Sequence, residues 1–147
     1  MKFQYSFQKV VDLKSNEKSQ AEWMLSSALG KLQSEEQTLQ QLISEKERVS
    51  HAIQSAAEAC VPLSSIQQLQ AYIGHLEQCI ERKNKDVEHA QMNVQSKQSI
   101  LTDKMMDEQV WLKAKEKAKA RFQKELLLHE QNELDELASV RYAMRAR

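Results

Sequence analysis

A single proline divides this chain. Pro62 is the only proline among 147 residues, and it lies in an eighteen-residue stretch, Ala59 to Leu76, that holds no Asp, Glu, Lys or Arg although 29% of the chain is charged. Pro62 removes a backbone donor and biases Val61 away from helical geometry, so a helix arriving from the N-terminal side ends before it. Ser64 with Gln67 three residues on fits a capping box that starts a new helix. The expected plan is a first helix over about 4–60, a turn at 61–64 and a second helix over about 65–145.

Composition makes both helices long. Two glycines, 5% aromatics and an abundance of Gln, Glu, Lys, Leu and Ala favour extended helices over a rounded core. The fold class is therefore all-α, a long antiparallel two-helix coiled coil with an overhanging C-terminal helix. Basic and acidic residues balance at 21 each, which gives no reason to expect nucleic acid or an anionic membrane as partner. Met1 to Tyr5 shows no apolar run resembling a signal peptide, and the charge-free turn is too rich in Gln and Ser to cross a membrane. A cytosolic protein with no direct membrane insertion is expected. Cys60 and Cys79 have no metal spacing. In a hairpin about this turn the numbers of facing residues sum to roughly 125, placing Cys60 near Ser65 and Cys79 near Lys46, so the two thiols do not meet.

Taken in order, Phe3, Tyr5 and Phe7 alternate with polar residues before Val10, Val11 and Leu13 restore a helical face, which reads as an extended lead-in to a helix. From Ala21 a heptad can be counted, one column holding Ala21, Ala28, Glu35, Leu42, Val49 and Ala56, the other Leu25, Leu32, Leu39, Lys46, Ile53 and Cys60. The second arm carries Ile66, Ile73, Ile80, Val87, Val94 and Leu101 in one column. Its other column, Leu69, Leu76, Lys83, Ala90, Lys97 and Lys104, fades to lysine. Met105, Met106, Trp111 and Leu112 then suggest a shift of register.

Arms of about 55 and 80 helical residues would reach roughly 80 and 120 Å at 1.5 Å per residue. Met1 would then lie opposite Lys124, and the chain beyond has no partner within the molecule. That overhang carries Leu126, Leu127, Leu128, Leu134, Leu137, Val140 and Met144. Left in water, such side chains cost about 1.5 to 3 kcal/mol each, and an apolar stripe of this kind marks a binding surface. Just before it, residues 113–124 hold six basic side chains against Glu116, and Glu130, Glu133, Asp135 and Glu136 follow. These runs read either as solvated helix faces or as an electrostatic contact; no aromatic platform or recognition fold points to nucleic acid.

No catalytic constellation stands out. His51, His75, His89 and His129 are scattered, His129-Glu130-Gln131-Asn132-Glu133 lacks the second histidine of a zinc site, and Gly30 and Gly74 stand alone rather than in a phosphate loop. No enzyme activity, cofactor or metal is expected.

Three segments carry a family resemblance. The opening Phe3-x-Tyr5-x-Phe7-Gln8-Lys9-Val10-Val11-Asp12-Leu13-Lys14, the segment Tyr72-Ile73-x-x-Leu76-Glu77-x-x-Ile80, and Leu134-Asp135-Glu136-Leu137-Ala138 with Arg141 and Arg145 resemble, in order and spacing, the flagellar export protein FliJ family. The resemblance implies an architecture similar to the central stalk of rotary ATPases. It also implies a non-catalytic part of the flagellar type III export apparatus, at the cytoplasmic side of the membrane at the flagellar base and needed for motility. Implied partners are the hexameric export ATPase FliI, the export gate FlhA, the ATPase regulator FliH and export chaperones. Carried over by position, the gate contact would involve Leu42, Val49, Tyr72, Leu76 and Cys79. The ATPase contact would involve Phe3, Phe7, Leu126, Leu127, Leu134, Asp135, Glu136, Leu137, Arg141 and Arg145. The heptad conflicts in part with this, because Leu42, Val49 and Leu76 also fall in the seam. The alternative is a generic coiled-coil scaffold or chaperone with no ATPase partner.

Overall fold

A computed structural model describes residues 2–146. Two helices, α1 (Gln8–Glu58) and α2 (Leu63–Arg145), pack against each other as a helical hairpin, and no strand occurs among the described residues. The hairpin resolves into two compact units. One joins the chain up to Ser19 with the chain from Thr102 onward; the other is Gln20–Leu101.

The Gln20–Leu101 unit contains the reversal. Helix α1 ends before Pro62, as the missing donor requires, but the residue that turns the chain is Cys60. Its φ of 56° is left-handed, and Val61 N–H donates back to Ala56 O at 3.2 Å while Ala59 N–H reaches Ser55 O at 3.0 Å. A left-handed residue closed by a bond five residues back is the standard helix stop, normally supplied by glycine. Helix α2 opens at Leu63, earlier than the capping box predicts: Pro62 O accepts from Ser65 N–H at 3.0 Å, and Ser64 already lies within the first turn. The fixed φ of proline prepares the chain for a helix at once, which leaves the serine no capping role.

Behind the turn, the first-arm columns from Ala21 to Ala56 and the second-arm columns from Ile66 to Leu101 are buried or half-buried in every heptad. Val49 is the most enclosed at 1% exposure, with Ala21, Ala28, Leu76, Ala90 and Val94 also buried. Glu35, Lys46 and Lys83, polar members of the columns, find partners. Lys83 Nζ donates to Glu35 Oε2 at 2.8 Å, and Lys46 pairs with Glu77 at 3.4 Å. Glu35 has Ala28 and Leu42 as its column neighbours, so sliding the helices by one heptad would set the lysine against an apolar side chain.

In the other unit the register does not shift. Counting the second-arm columns onward gives Glu108, Trp111, Lys115, Ala118 and Phe122, all buried or half-buried, while Met105 and Met106 face water. The methionines suggested a shift; a glutamate holds the column instead. Glu108 is only 8% exposed and accepts from Lys18 Nζ at 3.3 Å. Beside it Lys104 donates to Glu17 at 3.4 Å, and Lys14 lies 3.5 Å from Glu17 and 3.8 Å from Asp107. Here α1 starts at Gln8, and the extended lead-in packs by its aromatics. Phe3 packs tilted against Phe122 with centroids 5.5 Å apart, and Phe7 against Trp111 at 5.9 Å.

Burial alone would raise the Glu17 carboxyl, but Lys104 and Lys14 outweigh it and hold it below the ordinary carboxylate range. The hydrogen bond to Glu35 raises Lys83 above the usual lysine range, against a smaller opposing effect of burial. The Glu17 contribution to stability is present above the unfolded carboxylate pKa and disappears as pH falls through the lowered folded value. The Lys83 contribution is present below the unfolded lysine pKa and disappears as pH rises through the raised folded value. Thermal melts between neutral and acidic pH are therefore expected to shift down less steeply with acid for Glu17→Gln than for the wild type. At the turn, Cys60→Gly should raise stability by about 1 kcal/mol and Cys60→Val should lower it; equal denaturation midpoints for the two variants would contradict the left-handed stop.

Candidate partner-binding surfaces

Side chains that pack the seam cannot also meet a partner, and this separates the gate positions suggested by the sequence. Val49 and Leu76 are buried and Leu42 is half-buried. All three stand in the seam columns, where packing between the two helices already engages their side chains. Tyr72 and Cys79 lie toward the outside. Tyr72 is 41% exposed, and its hydroxyl donates to Glu45 Oε1 at 3.4 Å. That carboxylate is gripped by Arg48, whose Nε and Nη2 donate to its two oxygens at 2.9 and 2.6 Å. The Arg48 fork lowers the Glu45 pKa against a smaller effect of burial, and Glu45 in turn raises Arg48. Cys79 is half-buried, with Sγ 3.6 Å from His75 Nε2. The ring is thus tied at its hydroxyl to an ion pair on α1. Sequence reading missed Glu45 and Arg48, although their spacing of three along a helix is a recognisable ion-pair signal.

The positions suggested for an ATPase contact fall into two groups. Phe3 and Phe7 belong to the aromatic lead-in clasped on α2. An open groove there is lined by Phe3, Tyr5, Ala114, Lys117 and Arg121 among others. Leu126 is half-buried just beyond Phe122, and from Leu127 onward every described residue is exposed. Leu127, Leu134 and Leu137 present 67, 64 and 59% of their surface, and Asp135, Glu136, Arg141 and Arg145 stand among them. Val140, Tyr142 and Met144 extend the apolar surface; Tyr142, 78% exposed, was not singled out from the sequence.

The direction of this surface matters. Continuing the seam columns past Phe122 lands on Glu125, His129, Asn132, Glu136 and Ser139, all polar, and then on Ala143, which offers no large apolar side chain. At about 100° per residue, Leu126, Leu127, Leu134, Leu137, Val140 and Met144 instead gather within an arc of about 140°. A longer α1 would therefore not cover them.

The profile of the flagellar FliJ protein family matches residues 2–147. The chain belongs to that family. The flagellar FliJ protein of Bacillus subtilis (strain 168) is similar to it, 25% identical over 138 residues that make up 94% of each chain. No solved structure matches. FliJ membership makes this chain a component of flagellar protein export. No described helix is long and apolar enough to cross a membrane, and no described cluster of His, Cys, Asp or Glu could hold a metal.

The division between interior and surface has a direct test. Val49→Ala and Leu76→Ala are each expected to cost about 2 kcal/mol or more in urea denaturation. Tyr72→Ala and Cys79→Ser should stay within about 0.5 kcal/mol of wild type.

Proposed function

We propose that the chain is a non-catalytic stalk of the flagellar export apparatus, inserting the end that carries both termini into the hexameric export ATPase FliI and promoting its assembly and hydrolysis. The observation behind this is the apolar stripe beyond Phe122, exposed from Leu127 onward and turned away from the seam's own columns. A single helix with one apolar face suits the interior of a ring. It meets each subunit differently, and differential contact is what biases subunits toward different states.

At the turn end, the uncharged stretch from Ala59 to Leu76, with Tyr72 exposed and Cys79 following it, suits a second protein contact, and the export gate FlhA is the partner proposed for it. Leu42, Val49 and Leu76 then act by holding the helix pair that presents Tyr72. The regulator FliH and export chaperones would dock on the same body at the cytoplasmic face of the flagellar base, and the chain would link hydrolysis to the gate.

Steady-state ATP hydrolysis by the purified export ATPase, titrated with the full chain, with the chain ended at Lys124 and with Leu134→Asp/Leu137→Asp, tests the stalk reading. The full chain is expected to stimulate hydrolysis several-fold and the other two to lose most of that stimulation. Equal stimulation by all three would rule out the stripe as the ATPase contact, and no binding by any would end the stalk reading.

A further inference from the structure

Two adjacent blocks of α2 carry equal and opposite charge. Residues 113–124 hold six basic side chains and one acidic; residues 125–136 hold five acidic and none basic. An excess of five positive charges is followed directly by five negative ones. Both blocks lie on one continuous helix, so they cannot fold onto each other within a chain. Between two chains they can, if the helices run antiparallel with the two-fold axis between Lys124 and Glu125.

The same axis matches the apolar residues. On one face of α2, Met105, Leu112, Lys119 and Leu126 recur every seven residues, and Gln123, Glu130, Leu137 and Met144 form a second column of the same spacing alongside. Among these eight, Leu112 and Leu126 are half-buried and the rest are exposed. Rotation about that axis sets Met105 against Met144, Leu112 against Leu137, Lys119 against Glu130 and Leu126 against Gln123 of the other copy. Apolar side chains meet mainly apolar ones, and the lysine meets the glutamate. A two-fold interface of this kind uses one patch twice.

We infer that the C-terminal arm pairs with a second copy of this chain through an antiparallel α2–α2 interface centred between Lys124 and Glu125. The inference is independent of the ATPase reading: it states what covers the stripe when no other partner does. Because Leu126, Leu137 and Met144 lie within the stripe, self-pairing and a stalk contact exclude each other, and the paired form is a reservoir from which one partner is released for the other.

Sedimentation of the full chain across protein concentration and salt tests the pairing. A concentration-dependent dimer is expected that weakens about tenfold or more between about 0.1 and 1 M salt, as the Debye length shrinks from about 10 to 3 Å. Lys119→Glu alone and Glu130→Lys alone should each weaken the dimer, and the two together in one chain should restore it, because each chain then offers the exchanged charge to the other. Both side chains are exposed, and helical content by circular dichroism checks that the variants remain folded. Orientation is read by mixing Met105→Cys with Met144→Cys chains lacking Cys60 and Cys79: the antiparallel pair cross-links only between the two kinds. A monomer at every concentration in low salt, a dimer indifferent to both charge changes, or cross-linking of Met144→Cys to itself would each overturn the inference.

Discussion

The reversal at Cys60 is the constraint on which the Gln20–Leu101 hairpin depends. A residue with a side chain is held at a φ of 56°, closed by the Val61 to Ala56 bond and followed at once by Pro62. Two helices that stop and start within four residues have little freedom to slide. The position of the turn therefore decides which column of α1 meets which column of α2. Glu35 meeting Lys83 and Lys46 meeting Glu77 are consequences of that alignment rather than its cause.

Charged residues inside the seam play a narrower part. Exposed or half-exposed pairs contribute little net free energy, because desolvation and side-chain ordering offset most of the attraction. Their effect is discriminating: a lysine or glutamate in a column tolerates the register that supplies its partner and disfavours those that supply a leucine. This matters most where apolar packing is thinnest. In the unit formed by the two chain ends, Lys14, Lys18, Glu17, Lys104 and Glu108 occupy the space that valine and alanine fill elsewhere, and Phe3, Phe7, Trp111 and Phe122 close it off.

Past Phe122 the seam columns turn polar while apolar side chains reappear on another face. That change of face is the structural basis for assigning the last turns of α2 to a partner. The same helix presents two surfaces in succession, one spent on its own hairpin and one left free. Its basic and acidic blocks straddle the boundary between them, where charge can select among partners and orient them.

Much of this was legible in the residues. The all-helical hairpin, the break at Pro62, the seam columns and the exposed leucines follow from breaker positions and a seven-residue apolar repeat, which are local properties of a helix and need no knowledge of what it packs against. The facing of Phe3 and Phe122 follows from counting outward from the turn. Tertiary structure decided what depends on a neighbour. It made Cys60, two residues before Pro62, the left-handed stop, because backbone closure is a matter of φ and not of composition. Glu108 holds the column while Met105 and Met106 face water, because Lys18 on the other helix pairs with it. Val49 and Leu76 became interior while Tyr72 remained at the surface, tied to Glu45, because burial is a property of two helices together and one helix's sequence specifies only a face.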